Sequence, residues 1–198
     1  MTISSTAGPP TPRLPRTQRR AQIIAAATRT FAKAGFAATN LDDIAAEAGI
    51  SRAILYRHFD SKTDLYQAVL DSACGRLAAA TGGDQFTGES IAGLLRAAAD
   101  DPAGFRLLFD HAAREPEFRQ AMEQFRAGMA TVAHKHLAVE IPDPAWAAWA
   151  AQLVPTVAIA AVTAWLDAGQ PDPDRAANRI REAIEGVIAA ARPPGYGR

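Results

Sequence analysis

The sequence predicts an all-α protein: three short helices, then a longer helical bundle. Three observations carry this. Alanine is abundant in the 198 residues and β-branched runs are rare, which favours helix. Apolar residues recur at three- and four-residue spacing, and nowhere alternate at period two for long enough to make a strand. Short Pro, Gly and Asp punctuation cuts the pattern into helix-length segments.

Residues 1–15 are rich in Pro, Ser, Thr and Gly and read as a disordered lead-in. The first helix is expected over 17–34, where Ile23, Ala27 and Phe31 recur at i+4 with Ile24 beside them and Gly35 supplies a C-terminal stop. Asn40 is a good N-cap for a second helix over 41–48, and Asp43 three residues on can complete a variant capping box. Gly49 ends it. Ser51 caps a third helix over 52–58, and Ser61, with Asp64 at N3, caps a fourth that runs to residue 80 before Gly82-Gly83. Further helices are expected at 88–99, 103–113, 116–138, 144–168 and 173–191. The domain division that follows is 1–15 as a tail, 16–62 as a first domain and 63–198 as a second.

Composition excludes several classes. With 48% apolar and 21% charged residues the chain is too apolar for disorder. Its one cysteine, Cys74, cannot form an internal disulfide and reads as a small packed hydrophobe. No Cys/His spacing suggests zinc, and His134 and His136, two apart, point to different helix faces and read as solvent or rim residues. The motifs G-x-S-x-G, S-x-x-K, P-loop, H-E-x-x-H and C-x-x-C are absent, so neither an enzyme nor a cofactor or metal is expected. Residues 1–12 have no positive n-region and no apolar h-region, so the expected location is the cytoplasm. Residues 145–166 carry no charge, which raises a membrane reading. Alanine predominates there, however, with Gln152 and Pro155 inside. We therefore expect no membrane, but a buried helix kinked at Pro155.

The net charge of zero hides an asymmetry. From Arg13 to Lys62 nine basic residues face four acidic ones, and the excess is reversed in the rest of the chain. A basic segment on a neutral protein suggests a local polyanion site, although a solvated basic helix face would look the same.

The segment 39–59 reads TNLDDIAAEAGISRAILYRHF. Two short helices meet at Gly49, with Ile44, Ala45, Ala48, Ile50 and Leu55 able to form a common core. This is the sequence form of a helix-turn-helix, in which the second helix enters the major groove. Arg52 at its head can reach guanine O6 and N7 bidentately, and Ile54 can touch a thymine methyl. Tyr56, Arg57, His58, Lys62 and Thr39 can donate to phosphates, and the helix start at Ser51 adds backbone N–H donors. Spacing alone leaves open a plain αα-corner, with Tyr56 in a core and Arg52 solvated.

Residues 19–66 resemble the N-terminal signature of the TetR family of bacterial repressors. The resemblance rests on Ile23, Ile24, Ala26, Ala27, Phe31, Gly35, Phe36, Thr39, Ile44, Ala45, Ala48, Gly49, Ser51, Leu55, Tyr56, Phe59, Lys62 and Leu65. It covers about a quarter of the chain. It implies a three-helix helix-turn-helix DNA-binding domain followed by a helical ligand-binding and dimerisation bundle. By resemblance, Thr39, Ser51, Arg52, Ala53, Tyr56, His58 and Lys62 fall at DNA-contact positions; Asn40, Ile54 and Arg57 complete the candidate set. Asn40 stands where a second Thr is usual, and Ala53-Ile54 where Gly or Ala and then Thr are common. The bulkier Ile54 bears on which operator is read.

In the second domain, Phe118, Met122, Phe125, Met129 and Val132 form an apolar stripe on one helix face. Phe105, Phe109, Trp146 and Trp149 add aromatic bulk, and His111, Gln152 and Thr156 are the sparse polar groups among them. Any one of these could be plain core. The family's usual pocket makes Phe105, Phe109, His111, Met122, Phe125, Trp146, Trp149 and Gln152 the candidate ligand residues, for a small hydrophobic effector. Ile180, Ile184, Val187, Ile188 and Ala191 form a last stripe, which the resemblance assigns to a homodimer interface and which could equally pack within one chain. The implied function is a sequence-specific transcriptional regulator of double-stranded DNA, a repressor released from a palindromic operator by its effector. An architectural DNA-binding protein without a ligand is the alternative.

Overall fold

In the computed structural model, which describes residues 14–83, 85, 87 and 89–193, the described residues form helices and no strand. The expected tail lies almost wholly outside them. The elements are α1 (Arg16–Ala38), α2 (Leu41–Glu47), α3 (Arg52–Tyr56), α4 (Lys62–Thr81), α5 (Ser90–Asp100), α6 (Pro102–Arg106), α7 (Arg119–Glu140), α8 (Pro144–Asp167) and α9 (Pro173–Ala191).

The N-terminal unit is fixed by its caps and a small core. Asn40 accepts from the Asp43 N–H at 2.8 Å, and the Asp43 carboxylate accepts from the Asn40 N–H, which closes the capping box. Ser51 caps α3 and Ser61 caps α4 through the N–H groups of Ile54 and Asp64. Ile23, Ala27 and Phe31 of α1 are fully buried against Ile44, Leu55 and Phe59. Gln22 donates to the Ala48 carbonyl, and Arg29 pairs with Glu47 at 2.8 Å, tying α1 to the end of α2.

Two segments depart from the sequence reading. The first helix does not stop at residue 34. Gly35 breaks it with φ 78°, a left-handed conformation natural to glycine, and one further turn continues to Ala38. The expected helix over 103–113 is not uniform: α6 passes into a π turn, Leu107–His111, and then a 3-10 turn, Ala112–Arg114. The π turn contains an i→i+5 bond from the Ala112 N–H to the Leu107 carbonyl.

α4 joins the two halves. Leu65, Tyr66 and Val69 belong to the N-terminal core, and the same buried cluster continues through Leu77, Leu94 and Phe105 to α8 and α9. Gly93 permits a close crossing of α4 and α5, since a Cβ there would lie 1.8 Å from the Ala80 carbonyl oxygen. α7, α8 and α9 pack side by side. Ile180, Ile184 and Ala191 of the final stripe are buried within the protomer, so this face of α9 is used inside the chain and is not free for a partner.

Lys62 has a structural position. Its ammonium donates to the carbonyls of Phe36 (2.8 Å), Thr39 (3.0 Å) and Ala37 (3.4 Å), and lies 4.5 Å from the centre of the Phe36 ring. It thus satisfies acceptors left over at the end of α1. Lys62→Met should therefore lower the unfolding free energy of the DNA-free protein by about 1–3 kcal/mol in urea titrations. Unchanged stability would contradict this capping role.

Candidate nucleic-acid interface and ligand cavity

α2, the turn at Gly49 and α3 make the helix-turn-helix. Leu55 anchors α3 in the core, and Ile54 is half-buried. Ser51, Arg52, Ala53, Tyr56 and Arg57 face outward, as does Asn40 at the head of α2. Arg52 is held before any DNA arrives: its guanidinium donates to Tyr56 Oη at 3.1 Å and to Asp42 at 2.9 Å, and stacks over the Tyr56 ring at 5.4 Å. The Tyr56 hydrogen bond and then the Asp42 charge raise its pKa further. Thr39 is only 2% exposed and donates its hydroxyl to the Gly35 carbonyl at 2.7 Å. Thr39 and Lys62 therefore both serve the end of α1 in this structure, and a phosphate contact would need them to exchange partners.

His58 sits at the end of the reading helix among positive charges. Desolvation lowers its pKa first, and the charges of Arg16, Arg57, Arg19 and Arg20 lower it further. Its Nδ1 is buried and makes no hydrogen bond among the described residues. Arg20 also lies over the Phe59 ring at 4.9 Å. The start of α1 thus adds Arg16, Arg19 and Arg20 to the basic surface beside α3. The helix-turn-helix motif missed them; the charge excess of 13–62 was the signal that pointed there.

The C-terminal bundle forms a partly open, mainly apolar cavity of about 410 Å³. Its walls are Cys74, Leu77 and Ala78 of α4, Ile91 and Leu94 of α5, Phe109 of the π turn, and Phe125, Met129 and Val132 of α7. Val154, Pro155 and Ile159 of α8 close it, with Ile188 of α9. Of the eight candidate ligand residues, Phe109 and Phe125 line it. Phe105 and Met122 are core, and Phe105 packs on Phe109 with ring centres 4.8 Å apart. His111 ends the π turn and lies outside the cavity wall. Trp146, Trp149 and Gln152 are on the outer face of α8, with the two indoles 49% and 40% exposed and in edge contact at 5.5 Å. They face out because Ala147, Ala150, Ala151 and Val154 supply the inner face. Burial pushes the Cys74 thiol up to about 11, with Asp71 adding to it, so it stays a neutral wall group.

Residues 23–69 match the family model described as bacterial regulatory proteins, tetR family. The transcriptional activator FasR of Mycolicibacterium smegmatis is 37% identical over 107 residues, 50% of this chain and 49% of that protein. The chain is similar to the TetR family over its N-terminal domain. It spans about half the length of that curated relative. A TetR-like regulator from Rhodococcus sp. RHA1 superposes with a TM-score of 0.78 at 22% identity, covering 89% of this chain and 99% of that one. The FadR regulator of Bacillus subtilis, solved in complex with stearoyl-CoA, superposes at 0.66 with 19% identity, covering 85% and 97%. These likenesses establish the fold of the whole bundle, and the family match establishes the type of its N-terminal domain.

In this TetR-like domain the lowered His58 pKa has a sign that can be checked. The folded state holds the neutral imidazole, so the unfolded state takes up the proton first on acidification, near the ordinary value of about 6.5. Stability from this group is complete above that pH and is lost as pH falls towards the folded-state pKa. His58→Gln should flatten the decline in melting temperature between about pH 7 and 5. An NMR titration midpoint for His58 at or above the ordinary value would contradict the arginine environment.

Proposed function

We propose that this chain is a cytoplasmic, sequence-specific transcriptional regulator that binds a palindromic operator as a homodimer and is released when a small apolar molecule fills the bundle cavity. It acts as a repressor where the operator overlaps a promoter. The observation that carries the reading is α3: Leu55 is buried while Arg52, Ala53, Tyr56 and Arg57 stand outward from a packed unit. That is the arrangement a major-groove reader needs. Ser51, Ile54, His58 and Asn40 flank this face, and the surrounding arginines supply the sequence-independent attraction to phosphate.

A single five-residue reading helix covers few base pairs, so useful affinity calls for two. The outer face of α8 is the surface we assign to the two-fold contact. Trp146, Trp149, Gln152, Thr156 and Ala160 are exposed there, and residues 145–166 carry no charge. α8 is long and apolar enough to cross a membrane, with only a third of its most apolar window buried; a second copy covering the indoles would account for that exposure without a bilayer. The link between cavity and DNA is α4. Its start holds α1 through Lys62, and its Cys74, Leu77 and Ala78 form the cavity wall. A ligand that prefers a shifted α4 would weaken DNA binding, and DNA would weaken ligand binding by the same factor. The stearoyl-CoA complex of the FadR neighbour is consistent with an apolar effector in this fold.

Binding to a mapped operator and to random DNA tests the reader. Arg52→Ala should cost about 1–3 kcal/mol of discrimination at one base pair while changing affinity for random DNA little. Equal losses on both would overturn the assignment. Light scattering tests the assembly. The wild type should be a dimer whose reading helices lie about one DNA turn, ~34–36 Å, apart. Trp146→Lys with Trp149→Lys should give monomers that bind the operator at least about tenfold more weakly. A wild-type monomer that still footprints a palindrome, or binding of the wild type to vesicles without dimerisation, would overturn the interface.

A further inference from the structure

The acidic residues of the basic segment 13–62 have different employments. Asp43 closes the capping box at Asn40, and Glu47 pairs with Arg29 of α1. Asp42 stands against the reading side chain itself: its carboxylate accepts from the Arg52 guanidinium at 2.9 Å. Wherever Arg52 meets DNA, a negative charge arrives with it. Both side chains are more than half exposed, 56% for Arg52 and 63% for Asp42, so the pair contributes little to folding. A carboxylate at a DNA-facing position also repels the phosphate backbone. Neither stability nor general attraction to DNA accounts for it.

The geometry around Arg52 separates two kinds of acceptor. Asp42 takes one N–H of one terminal nitrogen, and Tyr56 Oη takes one N–H of the other at 3.1 Å. The Tyr56 ring lies under the guanidinium at 5.4 Å and fixes its plane. Each terminal nitrogen keeps its second N–H, and Nε keeps its own. Guanine O6 and N7 are neutral acceptors, so Arg52 can give them these N–H groups without leaving Asp42. A phosphate is an anion and competes with the carboxylate for the same charge. If it draws the guanidinium away, Asp42 is left unpaired beside the backbone. Attraction to random DNA runs through phosphate, and an arginine already neutralised by a carboxylate adds little to it.

We infer that Asp42 is a specificity-determining residue: by holding Arg52 it withholds the guanidinium from phosphate and leaves it to guanine, weakening binding to random DNA more than binding to the operator. This rests on Arg52 being the reader proposed above and adds the residue that positions it. Asp42 acts through Arg52 and needs no base contact of its own. Affinity for the wrong sequence is lowered, which widens the difference on which discrimination depends.

Binding isotherms over a salt series test this, on a duplex selected by the wild type from a randomised pool and on a random duplex of equal length. Asp42→Asn keeps the shape and removes the charge. It should tighten binding to random DNA about three- to tenfold and steepen the salt slope there by about one. Binding to the selected duplex should change by less than about twofold, since the guanine contact is kept. The ratio of the two affinities therefore falls, and Asp42→Glu, which restores the carboxylate, should recover most of it. In the Arg52→Ala background, Asp42→Asn should leave the ratio unchanged. If Asp42→Asn raises both affinities by one factor, it acts as a general charge; the inference is overturned and the reader stands. If it lowers both, the pair only supports the shape of the reader, and the inference is wrong. A ratio that still changes without Arg52 would place Asp42 on the DNA directly and overturn it too. If Arg52→Ala loses as much on random as on selected DNA, Arg52 is not the reader and both readings fall.

Discussion

The way α1 ends governs much of the molecule. Gly35 turns the chain out of the helix, and the next turn leaves the carbonyls of Phe36, Ala37 and Thr39 without helical partners. A single ammonium from the first residue of α4 collects them. The Phe36 N–H is taken by Glu115 at 3.3 Å, which arrives from the far end of the α6 segment. The Phe36 ring lies under Lys62 and packs on Tyr66 and Phe118. One break thereby ties together the DNA-binding unit, α4 and the entry to α7. Because α4 continues into the cavity wall, the reading helix and the cavity are supported by one rod.

Local hydrogen bonding was the most legible layer of the sequence. The caps at Asn40, Ser51 and Ser61 involve residues three apart, and each was readable because both partners lie in one short stretch. Lys62 shows where that stops. A basic residue beside a reading helix looks the same whether its charge meets a phosphate or a carbonyl. Only the tertiary path of α1 brings Phe36 and Thr39, more than twenty residues away in sequence, within its reach. The same holds for Arg52, whose exposure was readable but whose partner Asp42, on the preceding helix, was not.

Periodicity identifies the faces of a helix but not what each face meets. Phe118, Met122, Phe125, Met129 and Val132 make one stripe; its first two members join the core, and the last three reach the cavity. Neighbouring helices cross α7 at an angle, so one stripe passes from one environment to another. α8 is harder still. Apolar on every side, it offers no moment to say which face is inner, and its largest side chains, Trp146 and Trp149, turn outward while alanines pack inside. Size suggested the wrong face here, because close helix packing favours small residues. His136, which read as a solvent or rim residue, lies on the cavity wall.

The π turn at Leu107–His111 makes the chain's length, as well as its chemistry, a determinant of this architecture. A π turn holds one residue more than the α turn it replaces, and one residue in an α-helix is about 100° of rotation. Phe109 lies within that turn and Glu115 a few residues beyond it. Deleting one residue within the turn would return it to an α turn with the downstream phase nearly kept, whereas deleting one from the regular turn of α6 would swing the downstream side chains by over a quarter of a circle. Glu115 would then point away from Phe36, even with every remaining residue unchanged. In related sequences a one-residue gap is therefore best placed in this turn, since the same gap in α6 would rewire the joint between the two halves of the molecule.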